Sequence, residues 1–243
     1  MMPFSPKPRT TSSARPCGLS RTHRISLGGL DFIPDLSGAL YAPDFASLLV
    51  ADLHLEKGTS LARRGVHLPP YDSRESLGQL RRVIAAAKPQ RLIFLGDSFH
   101  DPAARERIDG QDLALLLSIT ATIPSIWITG NHDPAPPGDI GGTIAAEVAL
   151  GPVSLRHEPR PLGDGMLEIA GHLHPAATVV QRGHRIRCRC FIADDRRIVM
   201  PAFGSYTGAL GIGSDAFAGL FEDYKVWMLG SRAIHRFPAA RVR

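Results

Sequence analysis

The chain predicts an α/β fold with mixed strand pairing, and two observations support this prediction. Over residues 47–128, short apolar segments alternate with helical patterns in the order strand, helix, strand, helix, strand. After residue 176 the pattern changes to strands that alternate polar and apolar residues, with no helix between them. The sequence has no internal repeat or long linker, so we expect a single domain over residues 25–243.

Turn signals and hydrophobic spacing place the early elements in order. Residues 25–45 predict an opening strand and hairpin, and a short helical stretch with Arg63 and Arg64 follows after Gly58. Apolar residues recur at helical spacing over 73–87, which predicts an amphipathic helix with Asp72 as its capping residue. A second helix is predicted over 109–120, after the next apolar strand.

Composition limits the kinds of protein that this chain can be. It has 243 residues, of which 44% are hydrophobic, so a packed globule is expected. Three cysteines without framework spacing predict a reducing, cytoplasmic compartment, and no apolar run approaches the ~20 residues that span a bilayer. Residues 1–24 predict a disordered basic tail. The net charge of +5 permits a nucleic-acid partner, although the tails carry much of that excess.

Four short apolar segments each end in side chains that can bind metals. Their ends read Asp52-Leu-His54, Gly96-Asp97, Gly130-Asn131-His132-Asp133 and Gly171-His172-Leu-His174. In open α/β sheets, ligands bind beyond the carboxyl ends of the strands. We therefore expect these side chains to meet in one site at one edge of a sheet.

The residue types in these segments indicate a site for two divalent cations. Oxygen and imidazole ligands without thiolates suit Mn, Fe or Zn, and seven ligands are too many for one tetrahedral ion. Two ions sharing a carboxylate would clamp both oxygens of a phosphoryl displacement and lower the pKa of a water between them. The candidate ligands are Asp52, His54, Asp97, Asn131, His157, His172 and His174.

His157 is assigned because it ends a short strand between the third and fourth segments, with His67, His100 and His184 as alternatives. His100 and Asp101 follow Asp97 closely. They either support the ligands or lie solvated in the loop, and we leave them unassigned.

The four motifs, complete and in this order, resemble those of the calcineurin-like metallophosphoesterase superfamily. That resemblance implies a four-layer αββα sandwich with two mixed sheets. It implies that Asp97 is shared by both ions, and that His132 acts over the phosphate as general acid or hydrogen-bond donor, oriented by Asp133. The implied ligand sets are Asp52, His54, Asp97 and His174 for the first ion, and Asp97, Asn131, His157 and His172 for the second.

Longer segments between residues 36 and 222 resemble the ligase-associated DNA damage response endonucleases. That resemblance implies a DNA phosphodiester substrate, Mn²⁺ as the metal, and association with a DNA ligase, a nuclease and a helicase in a bacterial repair module. Ala209 departs from the family pattern, which has a second glycine in this loop. The segments are Ala51-Asp-Leu-His-Leu-Glu-Lys57, Leu95-Gly-Asp-Ser-Phe-His-Asp101, Arg156-His-Glu-Pro159, Ala170-Gly-His-Leu-His-Pro175 and Pro201-Ala-Phe-Gly-Ser-Tyr-Thr-Gly208.

Two other hypotheses stay open at this point: the same centre acting on a small nucleotide or phosphomonoester, and a non-catalytic scaffold. Two basic features bear on the choice. Arg63 and Arg64 either contact a phosphate backbone or form a solvated helix face. Arg185, Arg187 and Arg189 share one face of a strand, which indicates either an amphipathic strand with buried thiols or a stripe that follows phosphates.

Overall fold

Two β-sheets packed face to face form the centre of the molecule. The structure is a computed structural model that describes residues 23–243. The basic tail predicted over residues 1–24 falls mainly on residues 1–22, which lie outside the described residues.

The first sheet has seven strands, and it is mixed. Its first four strands pair antiparallel along the chain, and β4 to β7 then pair parallel. The strands are β1 (Ile25–Leu27), β2 (Leu30–Pro34), β3 (Leu40–Ala42), β4 (Ser47–Val50), β5 (Arg91–Leu95), β6 (Ser125–Ile128) and β7 (Thr143–Ala145).

The second sheet has nine strands and is also mixed. β10 pairs parallel with both β9 and β13, while β11 and β12 form a long antiparallel hairpin. The strands are β8 (Val148–Leu150), β9 (Val153–Arg156), β10 (Leu167–Ala170), β11 (Pro175–Gln181), β12 (His184–Ala193), β13 (Arg197–Val199), β14 (Leu210–Gly211), β15 (Lys225–Leu229) and β16 (Ile234–Pro238).

Both long helices that the apolar spacing predicts are confirmed, but one predicted cap is wrong. The helices are α1 (Lys57–Arg63), α2 (Asp72–Ala87), α3 (Ala104–Arg107) and α4 (Gly110–Thr122). Asp109 caps α4 by accepting a hydrogen bond from the Gln111 amide. Asp72 does not cap α2, because its carboxylate instead accepts a hydrogen bond from the amide of Gly58 in α1.

Three apolar clusters separate the layers of the sandwich. One joins α2 and α4 to the first sheet, one fills the space between the sheets, and one covers the outer face of the second sheet. The predicted fold class is confirmed. Across residues 23–243, the outermost layer on the second sheet holds short 3₁₀ helices at Asp215–Phe217 and Ala239–Arg241 rather than α-helices.

The candidate site lies at one end of the sandwich, at the carboxyl ends of the parallel strands. Strands β4, β5 and β6 run side by side, and so do β9 and β10. The prediction of a site at the edge of a single sheet is wrong, because the carboxyl ends of strands from both sheets contribute to the site.

Among the described helices, none has an apolar stretch of the length needed to span a membrane.

Candidate metal centre

The backbone at the strand tips is unusually strained. Nine non-glycine residues in the described chain have positive φ, and five of them are candidate ligands. Asp, Asn and His tolerate this left-handed conformation better than most residues do, but it still costs on the order of 1–3 kcal/mol at each position. The five residues are Asp52, His54, Asp97, His172 and His174.

The first group of ligand atoms comes from both sheets. Asp52 and His54 follow β4, while His174 follows β10. Nε2 of His174 lies 3.1 Å from Oδ1 of Asp52 and 3.4 Å from Nε2 of His54. Nδ1 of His174 donates to the Gly208 carbonyl at 3.1 Å, so in the neutral ring Nε2 keeps its lone pair for a cation.

The second group has the same construction. Nε2 of His157 lies 3.4 Å from Oδ2 of Asp97 and 2.9 Å from Oδ1 of Asn131, and Nδ1 of His172 lies 3.1 Å from that same nitrogen. Nδ1 of His157 donates to the Leu95 carbonyl at 3.0 Å, which again leaves Nε2 facing the group. The alternatives His67 and His184 are exposed and lie outside both groups.

Asp97 lies between the two groups. Its Oδ2 is 3.4 Å from Nε2 of His157 and 3.8 Å from Nε2 of His54, so one carboxylate oxygen faces both sets of ligands. The other oxygen accepts a hydrogen bond from the His132 amide at 2.8 Å. A carboxylate held in this way on one side is suited to bridge two cations on the other.

Asp52 provides a test of whether a cation fits. Its Oδ2 accepts a hydrogen bond from the His172 amide at 2.9 Å, whereas Oδ1 is buried without a hydrogen-bond partner. His174 is close to Oδ1, but that contact lacks the geometry of a hydrogen bond. A buried carboxylate oxygen left unsatisfied costs free energy, and a divalent cation would satisfy it.

The electrostatics of the centre favour positive charge. Burial raises the pKa of Asp97, but His157, the His132 amide and His54 outweigh burial and bring it to about 2. Burial lowers the pKa of His157, and the carboxylates of Asp97 and Asp52 more than offset this, raising it to about 9. The carboxylates thus draw a proton onto His157, where a bound cation would displace it. The donor set therefore fits divalent metal.

The glycines of the motifs make room for the carboxylates. A Cβ added to Gly130 would lie 2.1 Å from Oδ1 of Asp97, and one added to Gly171 would lie 2.6 Å from Oδ2 of Asp52. Each glycine therefore allows one strand tip to approach the carboxylate of its neighbour. Ala209, which replaces a glycine of the family pattern, does not have positive φ, so alanine introduces no strain there.

His132 is not held by Asp133, as the family resemblance implies, but by His100. Its Nδ1 donates to the His100 carbonyl at 2.8 Å, and its ring stacks on the His100 ring with centroids 4.9 Å apart. No hydrogen bond joins Asp133 to the ring, because its oxygens accept hydrogen bonds from the Ser98, Phe99 and Gly130 amides. His100 therefore holds the His132 ring, and Asp133 holds the two loops together.

His100 is the residue that sequence reasoning left unassigned and that the structure brings into the centre. Besides holding His132, its Nδ1 lies 3.4 Å from Nδ1 of His54. Its neighbour Asp101 forms a two-pronged ion pair with Arg107, which secures the same loop. The signal in the sequence was a histidine three residues after Asp97, and spacing alone could not show where its ring points.

Most of the predicted basic stripe has structural partners. Arg187 and Arg189 each donate to a loop carbonyl at 2.6 Å, those of Ala209 and Ala202, and only Arg185 projects without such a contact. Cys190 is buried, and burial raises the pKa of its thiol, but Cys188 is only half-buried and Ile186 is exposed, so the predicted buried face is confirmed only at Cys190.

Comparisons with known proteins agree with this geometry. No family model matches the chain. The solved structure of the nuclease MPE from Pseudomonas putida is similar, with a TM-score of 0.70 and 29% identity over 88% of this chain and 99% of that one. The phosphoesterase Yfce from E. coli aligns over 79% of this chain and 97% of its own, but a TM-score of 0.41 and 16% identity are too weak to support an inference.

One curated sequence is also similar, over a shorter stretch. It is the probable inactive purple acid phosphatase 29 of Arabidopsis thaliana, 31% identical over 94 residues. The match covers 37% of this chain and 24% of the plant protein, so the chain spans about a quarter of that relative.

Proposed function

Because the chain is a calcineurin-like metallophosphoesterase, a metal-dependent hydrolase of phosphate esters, we propose that it hydrolyses phosphodiester bonds in DNA at a centre for two divalent cations. The observation that carries the two-cation part is the position of Asp97, whose Oδ2 faces both groups of ligands. The nuclease from Pseudomonas putida, similar over nearly its whole length, supports the nucleic-acid part.

The proposed ligands divide into two sets. Cations bound there would polarise the phosphate and lower the pKa of a water between them. Mn²⁺ is the proposed metal, with Fe or Zn as alternatives, since imidazole and carboxylate ligands suit all three. The sets are Asp52, His54, Asp97 and His174, and Asp97, Asn131, His157 and His172.

His132 is the proposed donor to the phosphate. Because its Nδ1 donates to the His100 carbonyl, the neutral ring has only a lone pair on Nε2. Donation from Nε2 to a phosphate oxygen or leaving group therefore requires the doubly protonated ring. Asp133, proposed from the family resemblance as a catalytic residue, would act indirectly, by holding the loop of Ser98 and Phe99 beside the loop of His132.

Association with a DNA ligase, a nuclease and a helicase of a repair module is part of the same proposal, since it comes with the family resemblance. A cytoplasmic location likewise stays a prediction from cysteine usage.

The test is Mn²⁺-dependent hydrolysis of bis-(p-nitrophenyl) phosphate beside the corresponding monoester. Asp97→Asn keeps the side chain's size and its tolerance of positive φ, so it removes the charge without a new backbone conflict. We expect diester turnover to fall on the order of a hundredfold or more, because even residues that support metal ligands change activity 10–100-fold. Asp44→Asn, an exposed aspartate at the opposite end of β4, is the matched control.

Three outcomes separate the hypotheses. Diester turnover lost in Asp97→Asn but kept in Asp44→Asn supports a phosphodiesterase and justifies oligonucleotide substrates. Turnover of the monoester alone favours the small-molecule phosphatase. No turnover of either ester by the wild type, with two metals bound, would leave a very selective enzyme or the non-catalytic scaffold.

A further inference from the structure

A nine-residue segment beside the centre is exposed throughout. Residues 63–71 join α1 to α2, and every one of them is exposed. Of the nine large apolar side chains that are exposed in the described chain, three lie here: Val66 (50% exposed), Leu68 (37%) and Tyr71 (62%). Scattered exposed apolar residues need no explanation, but three within six residues indicate a binding surface.

The segment and the helix α1 before it carry charges of a single sign. From Lys57 to Tyr71 the chain contains Lys57, Arg63, Arg64 and His67, and no Asp or Glu. The next acidic residue, Asp72, is buried. A surface that combines apolar and aromatic side chains with cations, without acids, is complementary to the bases and phosphates of a nucleic acid.

The segment is tied to the metal centre through a neighbouring loop. The Tyr206 hydroxyl donates to the Pro69 carbonyl at 2.9 Å. Two residues later, the Gly208 carbonyl accepts the hydrogen bond from Nδ1 of His174, a proposed ligand. Tyr206 also lies against α1, with a ring carbon 3.5 Å from where a Cβ on Gly58 would be.

Backbone hydrogen bonds also place the start of α1 beside the centre. The His100 amide donates to the Leu55 carbonyl at 2.9 Å, and the Leu55 amide donates to the Ser98 carbonyl at 2.9 Å. Leu55 follows the proposed ligand His54 directly and lies two residues before α1. The helix that leads into the segment therefore begins beside the loop that holds His132.

We propose that residues 63–71, which we call the basic lip, bind the polynucleotide strand next to the scissile phosphate. Arg63 and Arg64 contact neighbouring phosphates, and the Tyr71 ring packs on a base or sugar, with Val66 and Leu68 extending the apolar surface. This inference rests on the proposed function, because it assigns the substrate-binding surface of that same centre.

The charge part is tested by neutralising two arginines. In Arg63→Gln/Arg64→Gln, the dependence of oligonucleotide kcat/KM on salt should become shallower by about 1.4 in the log–log slope, since each phosphate contact contributes about 0.7 for a single strand. The matched control is Arg81→Gln/Arg82→Gln, which removes an adjacent pair of exposed arginines farther along α2. The control should keep the wild-type slope.

The apolar part is tested at the most exposed side chain. Tyr71→Ala should lower kcat/KM for a single-stranded oligonucleotide on the order of tenfold relative to kcat/KM for bis-(p-nitrophenyl) phosphate, whereas Tyr71→Phe should retain most of it. If the Tyr71 ring merely supports the loop, Tyr71→Ala would lower kcat/KM for both substrates, and the melting temperature would fall as well. Thermal unfolding of each variant is therefore measured alongside.

The outcomes separate this inference from the proposed function. If the wild type hydrolyses the small diester but cleaves no oligonucleotide, the proposed function fails and the lip inference fails with it. If the wild type cleaves the oligonucleotide and the lip variants behave like the control pair, only the lip inference is overturned. In that second case the apolar residues would mark a contact for a protein partner.

Discussion

Gly130→Ala should disturb the proposed metal centre without replacing any of the proposed ligands. The added Cβ would lie 2.1 Å from Oδ1 and 2.3 Å from the backbone nitrogen of Asp97, and 2.8 Å from Oδ1 of Asp133. Contacts between non-bonded carbon atoms are optimal near ~3.5–4 Å, so the two strand tips must separate by more than a side-chain rotation can relieve. The carboxylate of Asp97, the proposed bridge, moves with them.

The expected loss of stability in Gly130→Ala follows from how closely the added Cβ approaches its neighbours. Overpacking a well-filled site costs about 1–3 kcal/mol, and contact with a backbone atom places this substitution near the upper value. For a chain of this size, each kcal/mol lowers the melting temperature by roughly 2–4 °C, so a decrease of roughly 6–12 °C is expected. Metal affinity should also fall about 10–100-fold, as when support of a ligand is lost.

Thermal unfolding and calorimetric titration of the apoprotein with Mn²⁺ measure the two effects. Gly138→Ala is the matched control, since no atom lies within 4 Å of its added Cβ and its φ is not positive. It should change stability by no more than about 0.5 kcal/mol. Wild-type melting temperature and Mn²⁺ affinity in Gly130→Ala would refute the view that close approach of the strand tips sets the position of Asp97.

Two further predictions concern catalysis and the buried charges of the second sheet. His132→Ala should reduce diester turnover by about 10²–10⁴-fold while the metal content, measured by mass spectrometry, stays at the wild-type value. Loss of metal in that variant would instead make His132 a ligand. Arg197→Ala should destabilise the protein by about 3–5 kcal/mol in urea unfolding, because it leaves the fully buried Glu168, 2.6 Å from Nε of Arg197, without its main partner. A loss below about 1 kcal/mol would show that Arg156, 3.4 Å from Glu168, is sufficient alone.

Local signals explain which parts of the molecule could be predicted. The helices over 73–87 and 109–120 were placed within two residues, because their apolar spacing is itself the cause of their packing on the first sheet. The superfamily resemblance is confirmed by the comparison with the Pseudomonas putida nuclease. The sequence could predict it because the motifs are short segments that occur in the chain in the expected order. In both cases the information lies within a few consecutive residues.

Contacts between distant segments explain what was missed. Asp72 looked like a cap by spacing, but the Gly58 amide is a better-placed partner in the fold. Asp133 follows His132 directly, yet its carboxylate turns toward amides 34 and 35 residues earlier in the chain. The meeting of the ends of β9 and β10, in the second sheet, with strand ends of the first sheet is of the same kind, because no pattern within either strand specifies which sheet faces it.

The backbone strain distinguishes a functional centre from a merely polar strand end. Five proposed ligands share the left-handed conformation, which costs about 1–3 kcal/mol each and is a large fraction of the ~5–15 kcal/mol that stabilises a typical domain. Packing alone gives no reason for such strain to collect at five positions around two buried carboxylates. Cation binding gives one, because the turned backbone aims the side chains of Asp52 and Asp97 inward while their second oxygens are fixed by amides. In the proposed function, this strain holds the ligand side chains in position for a cation, at the expense of the protein's stability.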